Sequence, residues 1–247
     1  MDQPVPKFDR ENQVIAKARQ ALAEGRDAVL AQPLGELVEE YEILLGRAKR
    51  VAALAASVQD DLEAAMSQVA QLSQVDGLTG AMNRRSFEKL LSRDWAQAQR
   101  EGSPLSMLVV NVDAFRAYNE LYGSLRGDDC LKAVAQAVMR CLYREVDVVA
   151  RMEGDTFVTL LPGTDPEGAR VVAERIVGEV SALEIPHLES PNGGVVTVSV
   201  GLSTVHPTRG DAPMLLVREA QAALGQAKDM GRHAVAQHPA HPLESGK

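Results

Sequence analysis

The chain has 247 residues, 45% apolar and 24% charged, which suits one globular domain with an appendage or two small domains. A formal net charge of −8 excludes a nucleic-acid groove built on a broad basic face, although a few placed Arg or Lys can still hold single phosphates. The only cysteines, Cys130 and Cys141, offer neither a disulfide framework nor metal-ligand spacing and read as core thiols.

The opening MDQPVPKFDRENQ lacks the apolar core of a signal peptide, and no apolar run reaches the ~20 residues that span a bilayer. A soluble, cytoplasmic protein is expected. Ile15, Ala18, Leu22 and Val29 predict a short amphipathic helix. AQPLGE (31–36) is expected to break the chain, with Pro33 opening the next helix. Apolar positions then step by four and three: Leu37, Tyr41, Leu44, Ala48, Val51, Ala55, Val58, Leu62, Ala65, Val69 and Leu72. That 3.5-residue period marks a helical seam, and at 1.5 Å per residue it runs about 54 Å. Residues 1–75 are thus expected to form a dimeric stalk or four-helix bundle, with the homodimer seam over 37–72; simple packing on the neighbouring domain is the plainer alternative.

From 76 the texture changes. RRSFEKLLSRDWAQAQR (84–100) predicts an amphipathic helix with Phe87 and Trp95 as core anchors. LSMLVVNV (105–112) predicts a strand buried on both faces. Helices are expected at about 114–121 and 127–142, then DVVARM and TFVTLLP as strands around an acidic turn, EGDT. Asp165 caps a helix over 165–183, with Pro166 just inside it. A strand over 193–205, a helix over 213–231 closed by Gly231 and a disordered tail, QHPAHPLESGK, complete the chain. Interleaved strands and helices predict an α/β (α+β) domain, a central mixed sheet flanked by helices, over 76–236. The five histidines show no metal-ligand grouping.

Five phrases together resemble one family, the GGDEF domain of diguanylate cyclases: DGLTGAMNRRSF (76–87), NVDAFRAYNELYGSLRGD (111–128), REVDVVARMEGDTF (144–157), VTVSVGLS (196–203) and AKDMGRHAV (227–235). The resemblance implies a nucleotide-cyclase-like fold and a chemistry that joins two GTP molecules into cyclic di-GMP across a homodimer. That reaction needs divalent metals, Mg²⁺ or Mn²⁺, held by carboxylates while a 3′-hydroxyl attacks an α-phosphate. In the family these carboxylates come from the first Asp of a D-x-D and from the third and fourth letters of the signature turn. Here the first is Asn111, followed by Val112 and Asp113, and the turn reads Glu153-Gly154-Asp155-Thr156-Phe157. Asp155 is the one remnant catalytic and metal-site acid, and Asn111 makes the metal site degenerate. Losing two of three carboxylates is worth several kcal/mol, at least a thousandfold in rate.

Other positions are kept. The resemblance assigns guanine reading to Asn119 and Asp128, phosphate binding to Lys228 and Arg232 on one helical face, and positive charge to Arg116. Arg144-Glu145-Val146-Asp147 falls where the family carries its R-x-x-D inhibitory site for cyclic di-GMP, and Arg175 offers a second arginine. Four readings follow. The chain is a cyclic di-GMP receptor, a GTP sensor (with Mg²⁺ or Mn²⁺ only if GTP is bound), an active cyclase with atypical metal ligation, or a scaffold acting through its N-terminal helices. A protein partner at those helices is expected, and neither nucleic acid nor membrane insertion.

Overall fold

The computed structural model describes residues 9–24 and 31–239, in two compact units, residues 1–72 and 73–247. Leu22, Val29, the seam side chains Ala65, Val69 and Leu72, and the tail from 240 lie outside the described residues or side chains.

The first unit contains α1 (Asp9–Ala23) and α2 (Ala31–Leu72). Arg19 pairs with Glu42 at 2.7 Å and Lys49 donates to Asn12 at 2.8 Å, so the two helices run antiparallel. Val38 and Leu45 of α2 are buried. The predicted seam lies on a neighbouring stripe, and there Leu37, Tyr41, Leu44, Val51, Val58 and Leu62 are 41–67% exposed. The expected break at AQPLGE is corrected: α2 already includes 31–36. Pro33 fits there because a helix's first turn leaves its N–H groups without intrahelical acceptors. Among the described residues no helix is long and apolar enough to cross a membrane.

The second unit is a six-stranded mixed sheet in the order β1-β3-β4-β2-β5-β6. Its strands are β1 (Met82–Asn83), β2 (Leu105–Val112), β3 (Val148–Glu153), β4 (Thr156–Pro162), β5 (Val198–Val205) and β6 (Val235–Gln237). β2 is central, antiparallel to both β4 and β5, and all eight of its residues are buried. Its pleat sends Leu108, Val110 and Val112 into one core, and Met107 and Val109 into the other. The first core is completed by α5 (Ser124–Arg140) and α6 (Pro166–Ser181), and the second by α3 (Arg84–Glu101) and α7 (Met214–Asp229). Phe87 and Trp95 are core anchors, as expected. Cys130 and Cys141 are buried free thiols, and burial pushes them up to about 12 and about 11.

Three predicted boundaries move. The strand expected from 193 begins at Val198, because Gly193 and Gly194 take positive φ, and Val195 and Val196 pair with Pro186 and Ile185 instead. The helix expected at 127–142 starts at Ser124, with only Gly123 between it and α4 (Phe115–Tyr122). The expected tail begins too early, since Gln237 lies in β6 and the His238 N–H donates to Leu202 O at 2.8 Å. Asp165 caps α6 as expected, accepting from Gly168 N at 2.8 Å.

Candidate functional site

β3 and β4 meet in a tight turn, Gly154-Asp155, with Gly154 at φ +54. A side chain is disfavoured in that left-handed conformation. The β2–β4 register sets Asn111 opposite Thr156. Asn111 Nδ2 donates to Asp155 Oδ1 at 2.9 Å and to Thr156 Oγ1 at 3.0 Å. A carboxylate only accepts, so the nitrogen of this amide, and not its oxygen, faces Asp155. An uncharged NH₂ group therefore sits between the two turn residues and bonds to both.

A second set of contacts holds the turn from behind. Arg151 donates to Gly154 O through Nε and Nη2, at 2.9 and 2.7 Å, and its Nη1 reaches Asp76 Oδ1 at 3.1 Å. Asp76 also accepts from Thr79 N and Thr79 Oγ1, at 2.9 and 2.6 Å. Burial alone would raise the Asp76 pKa, but the hydrogen bonds from Thr79 and the Arg151 charge outweigh it and hold the carboxyl below its ordinary value. Nothing in the DGLTG phrase marks Asp76 for this role, because its partner Arg151 lies 75 residues away. Glu153, in the turn's first motif position, is exposed and 3.8 Å from Arg84 Nη1.

Asp113 is a different kind of acid. It is 1% exposed and accepts from Thr197 Oγ1 at 2.8 Å, Ser199 Oγ at 2.7 Å and the His233 N–H at 3.1 Å. Both oxygens are committed to the fold, which removes Asp113 as a substitute metal ligand. It instead anchors the turn after α7. The placement of Lys228 and Arg232 on one helical face is corrected here. α7 ends at Asp229, Gly231 takes φ +107, and Arg232 follows at φ +66 with its N–H on Ala227 O. Arg232 thus stands beyond the helix, one residue from the backbone tied to Asp113 at the end of β2.

Beside the turn an open pocket of about 480 Å³ is lined by Phe115, Arg116, Asn119, Glu120, Gly154 and Asp155, among others. The structure brings the predicted Arg116, Asn119 and Asp155 together there. Arg116 Nε pairs with Glu120 at 2.9 Å, and both side chains are exposed. Asn119 Oδ1 is buried without a hydrogen-bond partner. Gly127 lets this side chain sit so close, because a Cβ at 127 would collide with Asn119 Oδ1. Asp128, half-buried at the start of the second turn of α5, is the next residue.

The R-x-x-D segment forms a turn in which Asp147 N donates to Arg144 O at 3.1 Å. Arg144 Nη1 is 3.9 Å from Asp147 Oδ1, an atom that is buried without a hydrogen-bond partner. Burial raises the Asp147 pKa, and the Arg144 charge and backbone amide only partly offset that. Arg144 also donates to Thr164 Oγ1 at 2.8 Å and Pro162 O at 3.1 Å. A cleft of about 400 Å³ is lined by Arg144, Arg93 and Asp94, among others, and Asp147 is not among its lining residues. Arg93 was not predicted; an arginine on an amphipathic helix carries no distinguishing signal. Arg175 does not line this cleft. It donates to Cys141 O at 2.9 Å, and its guanidinium stacks 4.2 Å from the centre of the Tyr143 ring.

A divalent cation at the turn is a poor fit. Mg²⁺ demands several oxygen ligands in near-octahedral geometry, and the position between Asp155 and Thr156 is filled by amide hydrogens. Asp155 is the sole carboxylate in that hydrogen-bonded trio. Among the described residues no group of three or more His, Cys, Asp or Glu side chains is arranged to hold a metal.

Residues 73–234 match the family described as diguanylate cyclase, GGDEF domain. The chain is 30% identical over 200 residues to the diguanylate cyclase DgcP of Pseudomonas aeruginosa, an alignment covering 80% of this chain and 29% of that protein. It is 33% identical over 165 residues to the response regulator PleD of Caulobacter vibrioides, covering 67% of this chain and 36% of that protein. The chain therefore spans about a third or less of the length of these relatives. Among solved structures it is similar to the coiled coil and GGDEF domain of DgcB from Caulobacter crescentus in complex with c-di-GMP, with a TM-score of 0.62, 28% identity, and coverage of 76% of this chain and 97% of that one. It is also similar to the diguanylate cyclase SiaD in complex with its activator SiaC from Pseudomonas aeruginosa, with a TM-score of 0.59, 26% identity, and coverage of 94% and 87%.

Proposed function

The chain belongs to the GGDEF diguanylate cyclase family, and from that membership we propose that it is a receptor with a silent cyclase turn. The observation that carries this reading is the Asn111 amide bonded to Asp155 and Thr156. Where two substrates must each present a triphosphate, charge stabilisation by caged cations is the main catalytic resource. A hydrogen-bonded trio that holds a single carboxylate does not supply the ligands for them.

Cyclic di-GMP binds at Arg144 and Asp147. Two features support this: the buried Asp147 oxygen, which lacks a hydrogen-bond partner, and the exposed Arg144 guanidinium 3.9 Å from it. A carboxylate accepts from guanine N1–H and N2–H₂, and an arginine fork takes a phosphate or the O6/N7 edge. The DgcB structure, described as a complex with c-di-GMP, supports the choice of ligand by likeness. GTP occupies the remnant pocket through Asn119, Asp128, Arg116, Lys228 and Arg232 without being turned over. The stalk dimerises along 37–72 and relays occupancy to a protein partner; the SiaD complex with an activator is a precedent among relatives.

Calorimetry with cyclic di-GMP tests the receptor. Binding in the micromolar range, weakened at least about tenfold (about 1.4 kcal/mol) by Arg144→Ala, is expected. No binding, or binding indifferent to that change, overturns it. Cyclic di-GMP formed from GTP and abolished by Asp155→Ala would instead establish an active cyclase.

A further inference from the structure

In a metal-dependent nucleotide site the divalent cation does two jobs: it neutralises the phosphates and it holds the acidic turn together. Here the second job is done by an amide. Both Asn111 Nδ2 contacts point inward, to Asp155 Oδ1 and Thr156 Oγ1, and Thr156 Oγ1 is itself 3.5 Å from Asp155 Oδ1. A cation entering this position has to displace both hydrogen bonds and gains one full carboxylate in return. Mg²⁺ also gives up its water reluctantly. The exchange is unfavourable.

The first job still needs doing, and three side-chain cations are available for it: Arg116 lines the pocket, while Lys228 and Arg232 are not among its lining residues. Arg116 is 93% exposed, lines the pocket and, among the described residues, pairs only with the exposed Glu120 four residues on. Exposed helical pairs of this kind are weak, so a phosphate readily takes the arginine over. Arg232 is held near the end of β2 by its neighbour's N–H on Asp113 Oδ2, at 3.1 Å. Lys228 stands one turn back, at the end of α7, with its carbonyl on Gly231 N at 3.3 Å.

We propose that the pocket beside the Gly154-Asp155 turn binds GTP without a divalent ion, with Arg116, Lys228 and Arg232 as the whole counter-charge. This deepens the reading of that pocket as a guanine-nucleotide site and rests on it. Because Arg116 and Arg232 are exposed and Lys228 only half-buried, affinity falls as monovalent salt rises.

The test is calorimetric titration of the full chain with GTP, once in EDTA and once in millimolar MgCl₂. Dissociation constants equal within about threefold are expected. Tightening by Mg²⁺ of tenfold or more overturns the inference. In Asn111→Asp combined with Thr156→Glu, checked for folding by circular dichroism, a tenfold or greater dependence on Mg²⁺ is expected to appear. A folded double variant that stays indifferent to Mg²⁺ overturns the role given to the amide. Mn²⁺ paramagnetic resonance on the wild-type protein without nucleotide needs no variant: a spectrum of free ion supports the inference, and bound Mn²⁺ that Asp155→Ala releases overturns it. Absence of GTP binding in both buffers overturns the inference together with the GTP-pocket reading. Cyclic di-GMP titrated into the same preparation then shows whether the receptor reading survives.

Discussion

Asp76 illustrates how a side chain outside the signature turn sets its shape. Its carboxylate takes two hydrogen bonds from Thr79 and one from Arg151, and Arg151 in turn grips Gly154 O. Asp76→Asn keeps the size and removes the charge, so a loss of about 1–2 kcal/mol is expected at neutral pH by urea denaturation. The sign with pH follows from the direction of the shift. The folded pKa lies below the ordinary 3.8, so the stabilisation is present above 3.8 and is lost as pH falls through the lowered value. Wild type and variant are expected to converge in strong acid. At this scale the letters 111 and 156 show in the sequence that charge has been lost. That Asn111 bonds to Thr156 does not show, because the pairing depends on a strand register set by the whole sheet. Lys228 and Arg232 fail for a related reason: their i,i+4 spacing suggests a shared face, but the glycine between them ends the helix.

Among the elements, α7 and β5 are fitted to one another at Gly201. A Cβ there would collide with the backbone of α7 at Leu224 N and Ala220 O, and backbone does not step aside as a side-chain end does. Gly201→Ala is expected to cost about 3 kcal/mol or more, read from the midpoint of urea unfolding at unchanged slope. Strongly patterned elements were legible: the apolar run of β2, the amphipathic α3, and α6 with its Asp165 cap and Pro166. So was the stop at Gly231, but two other boundaries written by glycine were not. Gly123, at φ +83, is the single residue between α4 and α5, so α5 starts three residues before the expected 127, and Gly193-Gly194 delays β5. A glycine's positive φ is a property of the folded backbone, and nothing in its neighbours announces it.

For the molecule as a whole, the stripe along α2 carries the assembly question. Six large apolar side chains, Leu37, Tyr41, Leu44, Val51, Val58 and Leu62, lie exposed at heptad spacing. A second copy would bury them, and light scattering is expected to give twice the chain mass. Leu44→Glu with Val51→Glu places carboxylates in that seam and is expected to return the monomer mass, while the far-ultraviolet dichroism of the sheet domain persists. A dimer unmoved by these changes would place the interface elsewhere. The period of this stripe was legible because it repeats over many turns; its exposure was not, because covered and open faces of α2 carry the same residue types.

One strand joins the two ligand sites proposed above. β3 begins one residue after Asp147 and ends at Glu153, where the signature turn starts, so six residues, about 20 Å, separate them. It is hydrogen-bonded to β1 on one side and β4 on the other. A guanine that draws on Asp147 therefore loads one end of a strut whose far end seats Arg151 and the carbonyl it grips. Strain introduced at Asp147 would have one run of paired backbone along which to reach the pocket.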